Sequence, residues 1–303
     1  MMMTRQTDPF LLAALIMVAG MAFIPIGDSF AKLLSEASPF AGATVAWMRF
    51  GIGALVAVPL TLAAGEWRNT PQGFWRVQLI RSLALCVGIG GMVTSVQTIE
   101  IHNAFGAFFV GPAVATILTR LVLKEAVTPL EWAAVALGFL GVLLVVQPTT
   151  DLKPGILWAL FGGVGYGAFL VATRWAAKHG RPLGQLAGQL TIGFVLLTPL
   201  SLWAWPSGDA LSLISWPVAL FILGSGLASA AGNMLTIVAT RMVRAARLMP
   251  FVYFQLFSAA IVGWLIFGDI PNLLAVIGLA IIASAGALQF LSKQARTPEN
   301  LNA

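Results

Sequence analysis

Few side chains in this sequence can do chemistry, and most of those lie inside apolar runs. Asp28 and Arg49 are the sharpest pair. A carboxylate and a guanidinium held out of water can bind a zwitterion, carry a proton or pin two helices together. An arginine near the centre of a bilayer costs at least about 2.5–3.5 kcal/mol on insertion scales, so it needs a partner and a protein or water surround. Uncharged hydrogen-bonding groups form two further sets. Thr94 and Thr98 stand four residues apart, with Gln97 beside them. Asn233, Thr236 and Thr240 stand at i, i+3 and i+7. Each spacing puts its members on one helix face, where they can line a cavity or bond a neighbouring helix. Tyr166 and Tyr253, the two tyrosines, lie within apolar runs rather than at the interface where tyrosine usually gathers. Each can offer a ring and a hydroxyl to a small amphipathic solute.

Other chemistry finds no footing. There is no catalytic triad, no paired carboxylates and no zinc spacing, so neither an enzyme nor a metal or other cofactor is expected. His102 has Glu100 near it, but His179 falls on the opposite side. A single cysteine, Cys86, excludes an intrachain disulfide. The glycines Gly162, Gly163, Gly165 and Gly167 follow no strand, so they are not a nucleotide loop. They allow either close helix approach or bending.

These residues must be positioned by elements that lipid covers. Some 59% of residues are hydrophobic and 9% charged, with mean hydropathy +0.91, whereas a soluble domain carries about 25% charged residues. The net charge of +6 comes from short basic clusters between apolar runs, without the aromatic-interleaved stripe of a nucleic-acid binder. A spanning helix needs about 20 apolar residues. Ten segments qualify: 10–34, 40–64, 77–99, 103–123, 129–147, 154–177, 184–205, 216–239, 246–267 and 271–291. Prolines at 39, 71, 129, 154, 182, 217 and 271 sit at or just before helix starts, where the missing N–H costs nothing. The run from Phe10 continues to Leu34 without a small-residue cleavage signal, so it reads as a first span rather than a leader. Residues 292–303 form a polar tail.

With ten spans both termini lie on one side. Lys32, Lys153 and Arg49 apart, the 17 Lys and Arg fall on the termini and the loops of that side, Arg81 among them. That side is expected to be cytoplasmic, in a bacterial inner membrane. Arg49 lies about nine residues into its segment, so about 14 Å deep, and Asp28 about 9 Å deep from the same face. The difference is within an arginine's reach, although Asp28 can also meet Lys32 at i, i+4.

The sequence repeats. Residues 92–104 match 234–246 at Met92/Met234, Thr94/Thr236, Val96/Val238, Thr98/Thr240 and Ala104/Ala246. The stretch from Phe50 matches that from Leu190, aligning Gly53 with Gly193 and Pro59 with Pro199. Two units result, 10–147 and 154–291. An odd number of helices in each makes them inverted, an arrangement found in carriers with a site at the repeat interface. The mates of Arg49 and Asp28 are Gln189 and Leu170, so the halves differ chemically at this point.

The proline-bearing stretch GPAVATILTRLVLKE at 111–125, GFLGVLLVV at 138–146 and MPFVYFQLFSAAIVGWLIFGDIP at 249–271, closing on Asp269, resemble the drug/metabolite transporter superfamily, EamA type. The resemblance spans residues 10–290. It implies an all-α membrane protein of ten helices, two inverted five-helix repeats around a central cavity. It also implies secondary transport of a small metabolite, amino-acid export first and S-adenosylmethionine or related uptake as the alternative. The partners then expected are a small-molecule substrate and the lipid bilayer; the oligomeric state is left open. If transport is coupled to protons, Asp28 is the well-immersed acid available.

Overall fold

The computed structural model describes residues 9–40, 42–68, 70–96, 99, 101–147, 154–206, 214–268 and 270–294, and among them every regular element is helical. The first repeat contains α1 (Pro9–Ala37), α2 (Gly42–Ala63), α3 (Phe74–Val96), a split span of α4 (Ile101–Phe108) and α5 (Gly111–Leu121), and α6 (Pro129–Val146). The second contains α7 (Gly155–Ala176), α8 (Pro182–Trp203), α9 (Trp216–Met242), another split span of α10 (Ala245–Val252) and α11 (Gln255–Val262), and α12 (Leu273–Gln294). A π-helical turn, Gly263–Phe267, prolongs α11 and closes at Gly268 with φ +74°.

Among the described residues nine helical segments are long and apolar enough to cross a membrane, α3 not being one of them. The chain is a multi-pass membrane protein whose tenth span, α3, is diluted by polar and charged residues. Its start also corrects the sequence reading. The helix begins at Phe74, three residues before the expected segment, and Arg81, grouped with the charges of the basic face although it falls inside segment 77–99, is a helix residue with no exposed surface.

Local chemistry sets the helix ends and breaks. At α6, Pro129 opens the helix and Thr128 caps it. The Thr128 Oγ1 accepts from the Glu131 amide at 3.2 Å while the Thr128 amide donates to Glu131 Oε2 at 2.7 Å, a reciprocal cap. The span of α4 and α5 breaks just before Gly111-Pro112, where proline withdraws a donor from the ladder. Pro250 does the same in α10. Inside hydrocarbon the freed groups must be satisfied by protein. Tight i to i+3 bonds do this at the second break, Phe254 N to Phe251 O at 3.1 Å and Leu256 N to Tyr253 O at 3.1 Å.

The packing follows a pseudo-twofold pattern. α1 packs along α9 and α3 along α7; α2 lies on α8, and α6 on α12. Counting spans rather than helices, first on eighth becomes sixth on third when the halves exchange, so these contacts are mates. Outward-facing side chains such as Leu55, Leu60 and Leu62 of α2 are exposed, as lipid contact requires.

The closest approaches use glycine. A Cβ on Gly91 would fall 2.6 Å from Gly162 Cα and from the Trp158 carbonyl, and one on Gly163 would fall 2.4 Å from the Phe108 carbonyl. Of the two roles open to this glycine run, the structure shows close approach of α7 to α3 and α4.

Candidate solute-binding site

α1 and α2 bring Asp28 and Arg49 together. Arg49 Nη1 donates to Asp28 Oδ1 at 2.6 Å, and Nη2 donates to Ser229 Oγ of α9 at 2.7 Å. Lys32, the other candidate partner of Asp28, lies instead with its ammonium 3.8 Å from the centre of the Phe267 ring. Neither charge is sealed away: 44% of the Asp28 side chain and 21% of the Arg49 side chain remain exposed. They reach into a cavity of about 240 Å³ where the two repeats meet, large enough for an organic solute rather than an ion alone.

The cavity wall has two characters. One is aromatic and apolar: Phe50, Phe105, Phe108, Tyr166, Phe169 and Met92 line it. The Tyr166 ring lies 5.4 Å from Phe108 and stacks at 6.0 Å on Phe169. The other is a polar edge of Asp28, Arg49, Ser229, Asn233, Thr236 and Gln255. Asn233 donates to the Ser229 carbonyl at 2.9 Å, and its Oδ1 accepts from Gln189 Nε2 at 3.2 Å. Thr236 spends its hydroxyl proton on the Gly232 carbonyl, 2.9 Å away, leaving oxygen lone pairs. Offset rings beside a few convergent hydrogen-bonding groups make a pocket for a flat, polar-edged solute.

Of the residues singled out in the sequence, Asp28, Arg49, Tyr166, Asn233 and Thr236 line this cavity. Thr94 does not; it donates to the Gly90 carbonyl at 2.8 Å. Tyr253 is also away from it, fully buried over Gly138 with its ring 6.0 Å from Phe109. Gln97 and Thr98 lie outside the described residues, as does Asp269. Sequence reasoning passed over Ser229, Gln255 and the phenylalanines. Ser229 has a signal, standing one helical turn before Asn233 on the same polar face. The phenylalanines have none, since such residues recur throughout an apolar chain.

On the side rich in Lys and Arg, ion pairs and hydrogen bonds tie the two repeats together. Arg174 of α7 meets Glu125 at 2.9 Å and also donates to the Thr240 carbonyl at 2.8 Å. Glu125 accepts from the Ala245 amide at 3.0 Å. Arg244 meets Glu131 at 2.7 Å and donates to the Ala126 carbonyl.

Comparison with known proteins agrees with the geometry. A model described as the EamA-like transporter family matches residues 9–147 and again 153–290. A riboflavin transporter of Rhizobium johnstonii is 29% identical over 279 residues, covering 88% of this chain and 87% of that one. A riboflavin transporter of Vibrio cholerae is 25% identical, covering 99% of this chain and 100% of its own length. An S-adenosylmethionine uptake transporter of Rickettsia prowazekii is 25% identical over 80% of each chain. A solved crystal structure superposes with a TM-score of 0.77 at 17% identity, covering 95% of this chain and 99% of the other; at that identity the likeness speaks for the fold alone.

Proposed function

We propose, for a chain that belongs to the EamA-like transporter family, that its solute is a neutral planar heteroaromatic metabolite, riboflavin first. As a member of that family it is a secondary transporter. Carriage by alternating exposure of the cavity, with no chemical step on the solute, follows from the inverted repeats. The observation that carries the substrate reading is the wall itself. Five rings, Phe50, Phe105, Phe108, Tyr166 and Phe169, line the cavity together with Asp28, Arg49, Ser229 and Asn233. A fused heterocycle with carbonyl and N–H groups along one side can stack on the first and hydrogen-bond the second.

The resemblance alone suggests amino-acid export. A small zwitterion would use the Asp28–Arg49 pair and leave most of the aromatic wall without a partner. The relatives named above are riboflavin and S-adenosylmethionine transporters, which favours a ringed solute and uptake as the direction. We place the protein in the bacterial inner membrane with both termini in the cytoplasm, on the strength of the basic residues of that face.

The test is counterflow in liposomes. Purified protein is reconstituted with unlabelled solute inside, and entry of labelled riboflavin, S-adenosylmethionine or amino acids is followed. Saturable riboflavin exchange supports the reading. Exchange of either of the others without riboflavin replaces it.

A further inference from the structure

Arg81 has no exposed surface and no carboxylate partner among the described residues. Its guanidinium is held by neutral groups. Nη1 donates to Gln78 Oε1 at 2.6 Å, Nη2 to Gln189 Oε1 at 2.5 Å, and Nε to Thr173 Oγ1 at 3.3 Å. The cluster is incompletely satisfied: Gln78 Nε2 and Gln185 Oε1 are buried without a hydrogen-bond partner. A charge kept inside a membrane protein without a counter-ion is expensive, and such residues mark solute or ion paths.

Arg81 sits one residue layer beneath the cavity floor. Leu85, one turn along α3, lines the cavity, and so do Phe169 and Asn233. The guanidinium carbon is 5.8 Å from the centre of the Phe169 ring. Gln189 joins Arg81 to Asn233, accepting from one and donating to the other. The carboxylate on the cavity wall, Asp28, is already engaged by Arg49. Among the described residues the core around the solute therefore carries one positive charge in excess, and the low-dielectric surroundings screen it poorly.

We propose that Arg81 is the charge filter of the solute path, admitting neutral or anionic planar solutes and turning away cations. The inference rests on the reading that an aromatic solute occupies this cavity. It also separates the two classes of relative. Riboflavin is neutral, whereas S-adenosylmethionine, with a sulfonium and an ammonium against one carboxylate, is a net cation.

The experiment is fluorescence titration of the purified protein in detergent with three flat ring systems: neutral riboflavin, anionic flavin mononucleotide and cationic proflavine. The wild type should bind proflavine at least about tenfold more weakly than riboflavin. Arg81→Gln should lower that ratio about tenfold, and Arg81→Lys should preserve it. Gln189→Glu keeps the arginine in place, sets a carboxylate against it and should act like Arg81→Gln even if the latter folds poorly. Equal affinity of the wild type for all three overturns the filter without any variant. So does an unchanged ratio in a Gln189→Glu protein that melts as the wild type does. Discrimination against proflavine together with absent riboflavin counterflow keeps the filter and removes the riboflavin reading. A wild type that binds none of the three overturns both.

Discussion

Asp28 holds Arg49 at 2.6 Å and still leaves 44% of its side chain exposed, so it can meet both a solute and a proton. Asp28→Asn keeps the shape and one hydrogen-bond acceptor for Arg49 while removing the charge. If transport is coupled to protons, the expected outcome is loss of uptake driven by a pH gradient, with solute exchange retained. Unchanged pH dependence of uptake would take Asp28 out of coupling. Phe169→Ala should weaken riboflavin binding by about 1–3 kcal/mol, the range for stacking of a base on an aromatic side chain, as read from the flavin titration. The pair was legible in the sequence because depth follows from counting residues at 1.5 Å each, and few partners stand at the depth of Arg49. Arg81 was not. It falls only four residues inside the expected segment, close enough to the basic face to be grouped with the loop charges there, and burial against α7 and α8 is set by packing that spacing does not show.

Helix seams are set by glycine at defined positions, and neighbouring glycines are not equivalent. A Cβ at Gly91 would meet the backbone of α7, which cannot move aside as a side chain can, while a Cβ at Gly90 meets nothing within 4 Å. Gly91→Ala should cost about 1–3 kcal/mol, the range for overpacking, seen as a lower melting temperature in detergent. Gly90→Ala should stay within about 0.5 kcal/mol of the wild type. On the basic side Glu131 is 1% exposed and serves two ends at once, the α6 cap and Arg244. Glu131→Gln should therefore destabilise by about 1–3 kcal/mol, the cost of leaving buried polar groups poorly matched. Which spans exist could be read from apolar length and proline positions. Which faces meet could not, because α2, α6 and α8 are apolar around most of their circumference, and a membrane helix announces its partner through small residues rather than through an apolar stripe.

At the scale of the molecule, two features were legible: an odd number of spans per repeat and the bias of lysine and arginine to one face. Both concern order along the chain. The side on which the termini sit is tested by fusing alkaline phosphatase or a fluorescent protein to the C-terminus. A silent phosphatase and a bright fluorophore are expected, and an active phosphatase would reverse the assignment. The pairing of first span with eighth and third with sixth has a thermodynamic consequence. If the two halves exchange conformations, the same kinds of contact re-form with the opposite mouth open, so the energies of the two arrangements differ only by what is unlike between the repeats. Arg49 where the other repeat has Gln189, and the acidic residues Glu125 and Glu131 paired on one side, are such differences. The side on which such a molecule rests is then set by the side chains that differ between the repeats, not by the contact pattern that they share.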